Sequence, residues 1–143
     1  MRFQSPSVAV YSIHPIGFIR SDLLFRSDAP RQGNEGAPDV WLEVSPEFSK
    51  GLPGIAPGDE IIIITWLHEA PRQTLQVHPR DNLSAPLAGV FSTRSAERPN
   101  PLGLHRVTVR HVEGNRLRIG PMEAIDGTPM ADIKPVLTPS SDS

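Results

Sequence analysis

The sequence predicts an all-β fold, a small compact antiparallel barrel with one short helix. Three observations lead there. Sixteen prolines and eleven glycines are spread along 143 residues and leave little room for long helices. The apolar runs are short and rich in Val and Ile, residues that suit a pleated, half-buried surface. Two alternating runs, RVTVRHV and RLRIG, flank Glu113, Gly114 and Asn115, the pattern of a β-hairpin.

Taken in order, VAVYSIHPIGFI (residues 8–19) reads as an opening strand bent near residues 15–17. VWLEV (Val40–Val44) is a second strand and EIIIITWL (residues 60–67) a third. The third run has no polar alternation, so both of its faces are expected to be buried at the centre of the fold. TLQVH and GVFST are two further short candidates. In the hairpin, Val107, Val109, Leu117 and Ile119 share the inner face, which leaves Arg106, Thr108, Arg110, Arg116 and Arg118 outside. A last strand is expected around residues 130–133. The helix falls at SPEFSKGL, with Ser45 as N-cap, Pro46 in the first turn and Gly51 as terminator. The whole chain, 1–143, reads as one domain with flexible termini.

Composition closes several routes. Without cysteine there is no disulfide, no thiolate nucleophile and no cysteine-held metal or iron–sulfur cluster. The five histidines lack metal-ligand spacing, and no metal is expected. Neither glycine-rich nucleotide-binding fingerprint is present. No apolar run approaches the ~20 residues of a membrane span, and no signal-peptide core opens the chain, so a soluble cytoplasmic protein is expected. The net charge of −2 conceals an asymmetry: between Gly89 and Gly120 six arginines stand against Glu97 and Glu113. Twelve of the fourteen Lys and Arg residues are arginine, whose planar donors suit phosphate and carboxylate.

The most unusual stretch is FSTRSAERPNPLGLHR, residues 91–106. Its prolines fix φ and push their predecessors toward extended backbone, so it reads as a stiff loop that aims Arg94, Arg98 and Asn100 in set directions. A rigid surface loop with solvated arginines fits the same residues. Further polar clusters lie beside strands at APRQG, WLHEA and AIDGTPMADIKP, where loops on a rigid scaffold concentrate binding residues. Asp126–Gly127 by itself is an ordinary turn signal.

PIGFIRSD, PRQG, WLHEA, GVFSTRSAERPNPLGL and IDGTPMADIKP occur in the order seen in the TsaA-like family, which the chain resembles from about residue 11 to residue 136. This family of S-adenosylmethionine-dependent enzymes includes the YaeB/TrmO-type tRNA methyltransferases. The resemblance implies a compact barrel that acts as a homodimer with S-adenosylmethionine near the interface. It also implies methyl transfer to N6 of threonylcarbamoyladenosine beside the anticodon of tRNA. By position it places Pro30, Arg31, Gln32, His68, Glu69, Arg94, Leu104, Ile125, Asp126, Gly127 and Thr128 at the cofactor. In our reading Arg94 meets the methionyl carboxylate, backbone at residues 125–128 reads the adenine edge, and Leu104 packs on its face. Arg98, Asn100, Arg106, Arg110, Arg116 and Arg118 are the candidates for tRNA. Asp126 and His68 are the candidate bases, with water as the alternative. Two departures stand out: Val136 follows DIKP where the family often has an aromatic, and the second domain of longer members has no counterpart. A small-molecule methyltransferase and a non-catalytic S-adenosylmethionine- or oligonucleotide-binding barrel therefore stay open as alternatives.

Overall fold

The structure, a computed structural model, describes residues 9–22 and 38–137. Pro30, Arg31 and Gln32 lie outside the described residues, as do the start of the expected first strand and the last six residues. Strands β1 (Gly17–Arg20), β2 (Val40–Val44), β3 (Glu60–Trp66), β6 (Leu102–Glu113), β7 (Arg116–Gly120) and β8 (Pro129–Pro135) close into a barrel in the order β1-β2-β7-β6-β3-β8. Every neighbouring pair is antiparallel, including β8 with β1. Two short strands, β4 (Gln76–Val77) and β5 (Ala88–Gly89), form a separate ribbon inside the long β3–β6 connection.

Alternation drives closure. Val40, Leu42 and Val44 of β2, Val107 and Val109 of β6, and Leu117 and Ile119 of β7 all point inward. Ile19, Leu42, Ile63, Leu117, Ile119, Met122 and Met130 are fully buried in one continuous core. Gly114 takes φ +59° in the β6–β7 turn, a left-handed conformation that L side chains rarely adopt. Glu113 pairs with Arg116 across that turn, as expected of the hairpin.

Several expectations are corrected. The ordered opening strand is only Gly17–Arg20. β3 does alternate in burial: Ile61, Ile63 and Thr65 are buried, whereas Ile62, Ile64 and Trp66 are half-buried on the outer face. Residue chemistry hides this because both faces are apolar. The helix Pro46–Gly51 is 3-10, Ser45 makes no side-chain cap bond, and Leu52 rather than Gly51 is its C-cap. Two single 3-10 turns, Pro79–Asp81 and Val90–Ser92, accompany it, the second replacing most of the expected GVFST strand. β6 begins at Leu102, inside the stretch read as loop, and a register shift between Val109 and His111 interrupts its pairing with β7.

Antiparallel closure sorts the connections to two ends. The β1–β2, β3–β6 and β7–β8 connections leave from one end, while the β2–β3 connection and the β6–β7 turn occupy the other. No helix among the described residues is long and apolar enough to cross a membrane.

Candidate functional site

The end bearing three connections collects sequence clusters that are far apart along the chain. His68 and Glu69 follow β3, Arg94 lies late in the β3–β6 connection, and residues 125–128 close the β7–β8 connection. Leu104 sits two residues into β6 on its outer face, opposite Ile64, and is 51% exposed.

The proline loop is built around an arginine, but not Arg94. Arg98 donates from Nε to the Ser95 carbonyl (2.8 Å) and from Nη2 to the Val90 and Thr93 carbonyls (both 2.6 Å). Its guanidinium is thus taken up inside the loop it was expected to present to substrate. Arg72, which no motif or spacing marks, secures the other side. It donates from Nε to the Pro99 carbonyl (2.8 Å) and from Nη2 to Asn100 Oδ1 (3.4 Å), and lies 5.0 Å over the Trp66 ring. Arg94 is left exposed, with no hydrogen bond or ion pair among the described residues. His68 and Glu69 are exposed and unpaired in the same sense.

Where the β7–β8 connection meets β1, Ile19 N–H donates to the Thr128 carbonyl (3.0 Å) and Gly127 N–H to the Ile19 carbonyl (2.8 Å). The Thr128 hydroxyl is buried and donates to the Ile125 carbonyl (2.7 Å), so its side chain shapes the turn rather than facing a ligand. Asp126 Oδ1 accepts from Ser21 N–H (3.0 Å), which ties this turn to the end of β1. Among the described residues, the amides of Ile125 and Asp126 and the carbonyls of Asp126 and Gly127 keep free hydrogen-bonding capacity. An adjacent donor and acceptor are what an adenine Watson–Crick edge requires.

Beneath these segments a polar chain crosses the barrel interior. Thr65 Oγ1 is 2.7 Å from His105 Nε2, and His105 Nδ1 is 2.7 Å from Glu123 Oε1. A Cβ at residue 103 would overlap the Thr65 hydroxyl and the His105 ring, which explains the glycine of PNPLGL. No spacing rule signals this trio, since its partners lie 40 and 18 residues apart.

The outward arginines divide into two groups. Arg106 lies beside β3 and pairs with Glu60 at 2.7 Å. Arg116 and Arg118 stack over Trp41, their guanidinium carbons 4.2 and 5.6 Å from the ring centroid. Arg116 also lies 3.8 Å from Glu43, and Arg110 lies 3.5 Å from Asp39. Trp41 was not singled out from the sequence, although its pairing opposite Arg118 places it at the centre of this surface. A recess of about 990 Å³ opens at the opposite end, lined by Phe48, Leu52, Ile55 and Ile133 among others. It lies away from all the candidate ligand residues.

Comparison with known proteins gives a consistent result. The family described as "tRNA-methyltransferase O N-terminal domain" matches residues 18–143. The chain is 40% identical to the "Probable S-adenosyl-L-methionine-binding protein VirR" of Rhizobium radiobacter, over 87% of this chain and 70% of that protein. It is also 40% identical to a probable S-adenosyl-L-methionine-binding protein of Pyrococcus horikoshii, over 87% of this chain and 81% of the other. The crystal structure of TrmO from Pseudomonas aeruginosa superposes with a TM-score of 0.72 at 31% identity, covering 94% of this chain. The chain spans 59% of the length of that structure.

Proposed function

Because the chain belongs to the tRNA-methyltransferase O N-terminal domain family, we propose that it binds S-adenosylmethionine at the three-connection end and methylates tRNA there. The observation that carries this reading is that Arg94, a cation on a braced loop with no partner among the described residues, and residues 125–127, whose backbone keeps free groups among the described residues, belong to connections that leave the same barrel end. The two fit opposite ends of the same ligand, the guanidinium a carboxylate and the peptide groups an adenine edge. Bound there, S-adenosylmethionine supplies an electrophilic methyl group on a sulfonium sulfur.

The finer reading is that the acceptor is N6 of threonylcarbamoyladenosine next to the anticodon. The acceptor nitrogen would take the methyl group that S-adenosylmethionine supplies and would give up its proton to a base or to water. Positioning is the protein's main contribution to such a displacement, because aligned reactants at near-attack distance avoid most of the entropic barrier. His68, exposed and without a partner among the described residues, and Asp126, oriented by the Ser21 amide, are the candidate bases.

We assign the second copy of a homodimer to the outer face of β3 and β6. Leu102 and Leu104 are 41% and 51% exposed there, opposite the half-buried Trp66 and Ile64. An apolar surface of this kind beside a ligand site favours an interface. Light scattering under assay conditions is expected to give the mass of a dimer. A fully active monomer overturns this assignment.

A second reading, binding without turnover, is favoured by the names of the relatives, which specify S-adenosylmethionine binding and no reaction. Incubation with S-adenosylmethionine and tRNA that carries threonylcarbamoyladenosine without the N6-methyl group, followed by mass spectrometry of the nucleosides, separates the two. A methyl group added to threonylcarbamoyladenosine is expected. Tight cofactor binding with no methylated nucleoside supports the binding-only reading.

A further inference from the structure

The Thr65–His105–Glu123 chain has no part in the reaction outlined above, yet it is among the most buried polar features of the barrel. Thr65 is 0% exposed, His105 6%, and the Glu123 side chain 19%. An ionised carboxylate can only accept, so the 2.7 Å contact assigns a proton to Nδ1. In the neutral ring Nε2 then accepts from the Thr65 hydroxyl. Each side chain directs the next, and Gly103 keeps the space open.

The surroundings are apolar: Ile63 pairs with His105 across the sheet, and Val107, Met122 and Met130 are buried nearby in the core. Well-packed apolar side chains serve stability as well as a buried polar network does, and often better. What the network adds is direction, since a hydrogen-bonded chain fixes one relative placement of the elements it joins.

Those elements are the ones that lead into the candidate ligand residues. Thr65 precedes the turn with His68 and Glu69, and His105 neighbours Leu104. Glu123 lies two residues before Ile125, in a stretch where residues 123 and 124 make no backbone hydrogen bond among the described residues. The carboxylate is therefore the polar tie of residues 123 and 124 to β3 and β6, beside the burial of Ala124 in the core.

We propose that His105 is a positioning residue that, through Glu123 and Thr65, holds the 123–128 segment at a fixed distance from the start of β6. Its consequence for ligand binding rests on the reading of this end as the S-adenosylmethionine site.

Hydrogen exchange and calorimetry on the intact protein test it together. Glu123→Ala is expected to speed amide exchange in residues 123–128, leave β2 and β7 unchanged, and weaken S-adenosylmethionine binding about tenfold. Glu123→Gln retains an acceptor for Nδ1–H and is expected to restore both readouts. A merely structural role predicts faster exchange throughout the barrel and no rescue specific to one segment. Should Glu123→Ala not fold, Thr65→Val removes the hydroxyl at similar size and is expected to act in the same direction. Wild-type exchange in residues 123–128 of the folded variant overturns the proposal. Altered exchange in a protein whose wild type does not bind S-adenosylmethionine leaves the positioning role standing and refutes the cofactor site instead.

Discussion

Replacing Arg94 with Ala is expected to weaken S-adenosylmethionine binding about ten- to a hundredfold while the melting temperature stays unchanged. A hydrogen bond to a charged group contributes about 1.5–3 kcal/mol, which sets that range. The fold does not depend on this side chain, which is exposed and unpaired among the described residues. Substitutions at such positions usually change stability by no more than about 0.5 kcal/mol. The loop that carries it is already ordered by Arg98, Arg72 and the prolines, so binding incurs little additional ordering cost. Arg94→Lys keeps the charge without the planar fork and should fall between the two. Arg98→Ala is the contrasting variant: it removes three bonds to loop carbonyls, so affinity and local stability should decline together. Calorimetry that finds wild-type affinity in Arg94→Ala removes this residue from the site.

The contrast between Arg94 and Arg98 shows where sequence reasoning reaches its limit. Proline chemistry is local, so the stiffness of the loop was legible, as was the hairpin with its inward Val107, Val109, Leu117 and Ile119. Which guanidinium faces outward depends on where the chain folds back, and residues 90, 93 and 95 supply carbonyls that no side-chain pattern reveals. Across strands the loss is greater. Thr65, His105 and Glu123 are joined only by closure of the barrel, and their separate identities as a strand residue, a lone histidine and a loop acid signal nothing. The charge asymmetry was legible within one segment, but its acidic counterparts, Asp39, Glu43 and Glu60, come from β2, β3 and the connection before β2. The Ile run of β3 hid its alternation because its outer face is apolar too.

Those acidic partners sharpen what is expected of the arginine face. Arg110, Arg116 and Arg118 share the flank of β2, β6 and β7 with Trp41, whereas Arg106 pairs with Glu60 beside β3. A phosphate backbone docking on this flank must compete with Asp39 and Glu43 for Arg110 and Arg116. Exposed ion pairs contribute only about 0–1 kcal/mol each, so the competition is readily won. Arg118 has no carboxylate partner among the described residues and is available outright. Trp41 adds an aromatic surface on which arginines are already stacked, an arrangement suited to an unpaired base as well as to phosphate. Replacing Arg116 and Arg118 together with Ala is therefore expected to lower tRNA affinity. It should also reduce the slope of log K against log salt by about 0.7–0.9 per lost phosphate contact. Cofactor affinity should not change, because this flank carries none of the candidate ligand residues. Arg106→Ala serves as the internal comparison: held by Glu60 at 2.7 Å on the other side, it should alter the slope less than either of the pair. Filter binding across a salt series reads all of these at once. If the double variant binds and methylates tRNA like the wild type at every salt concentration, the docking face lies elsewhere on the barrel. A weaker slope for Arg106→Ala than for the double variant would move it to the β3 side.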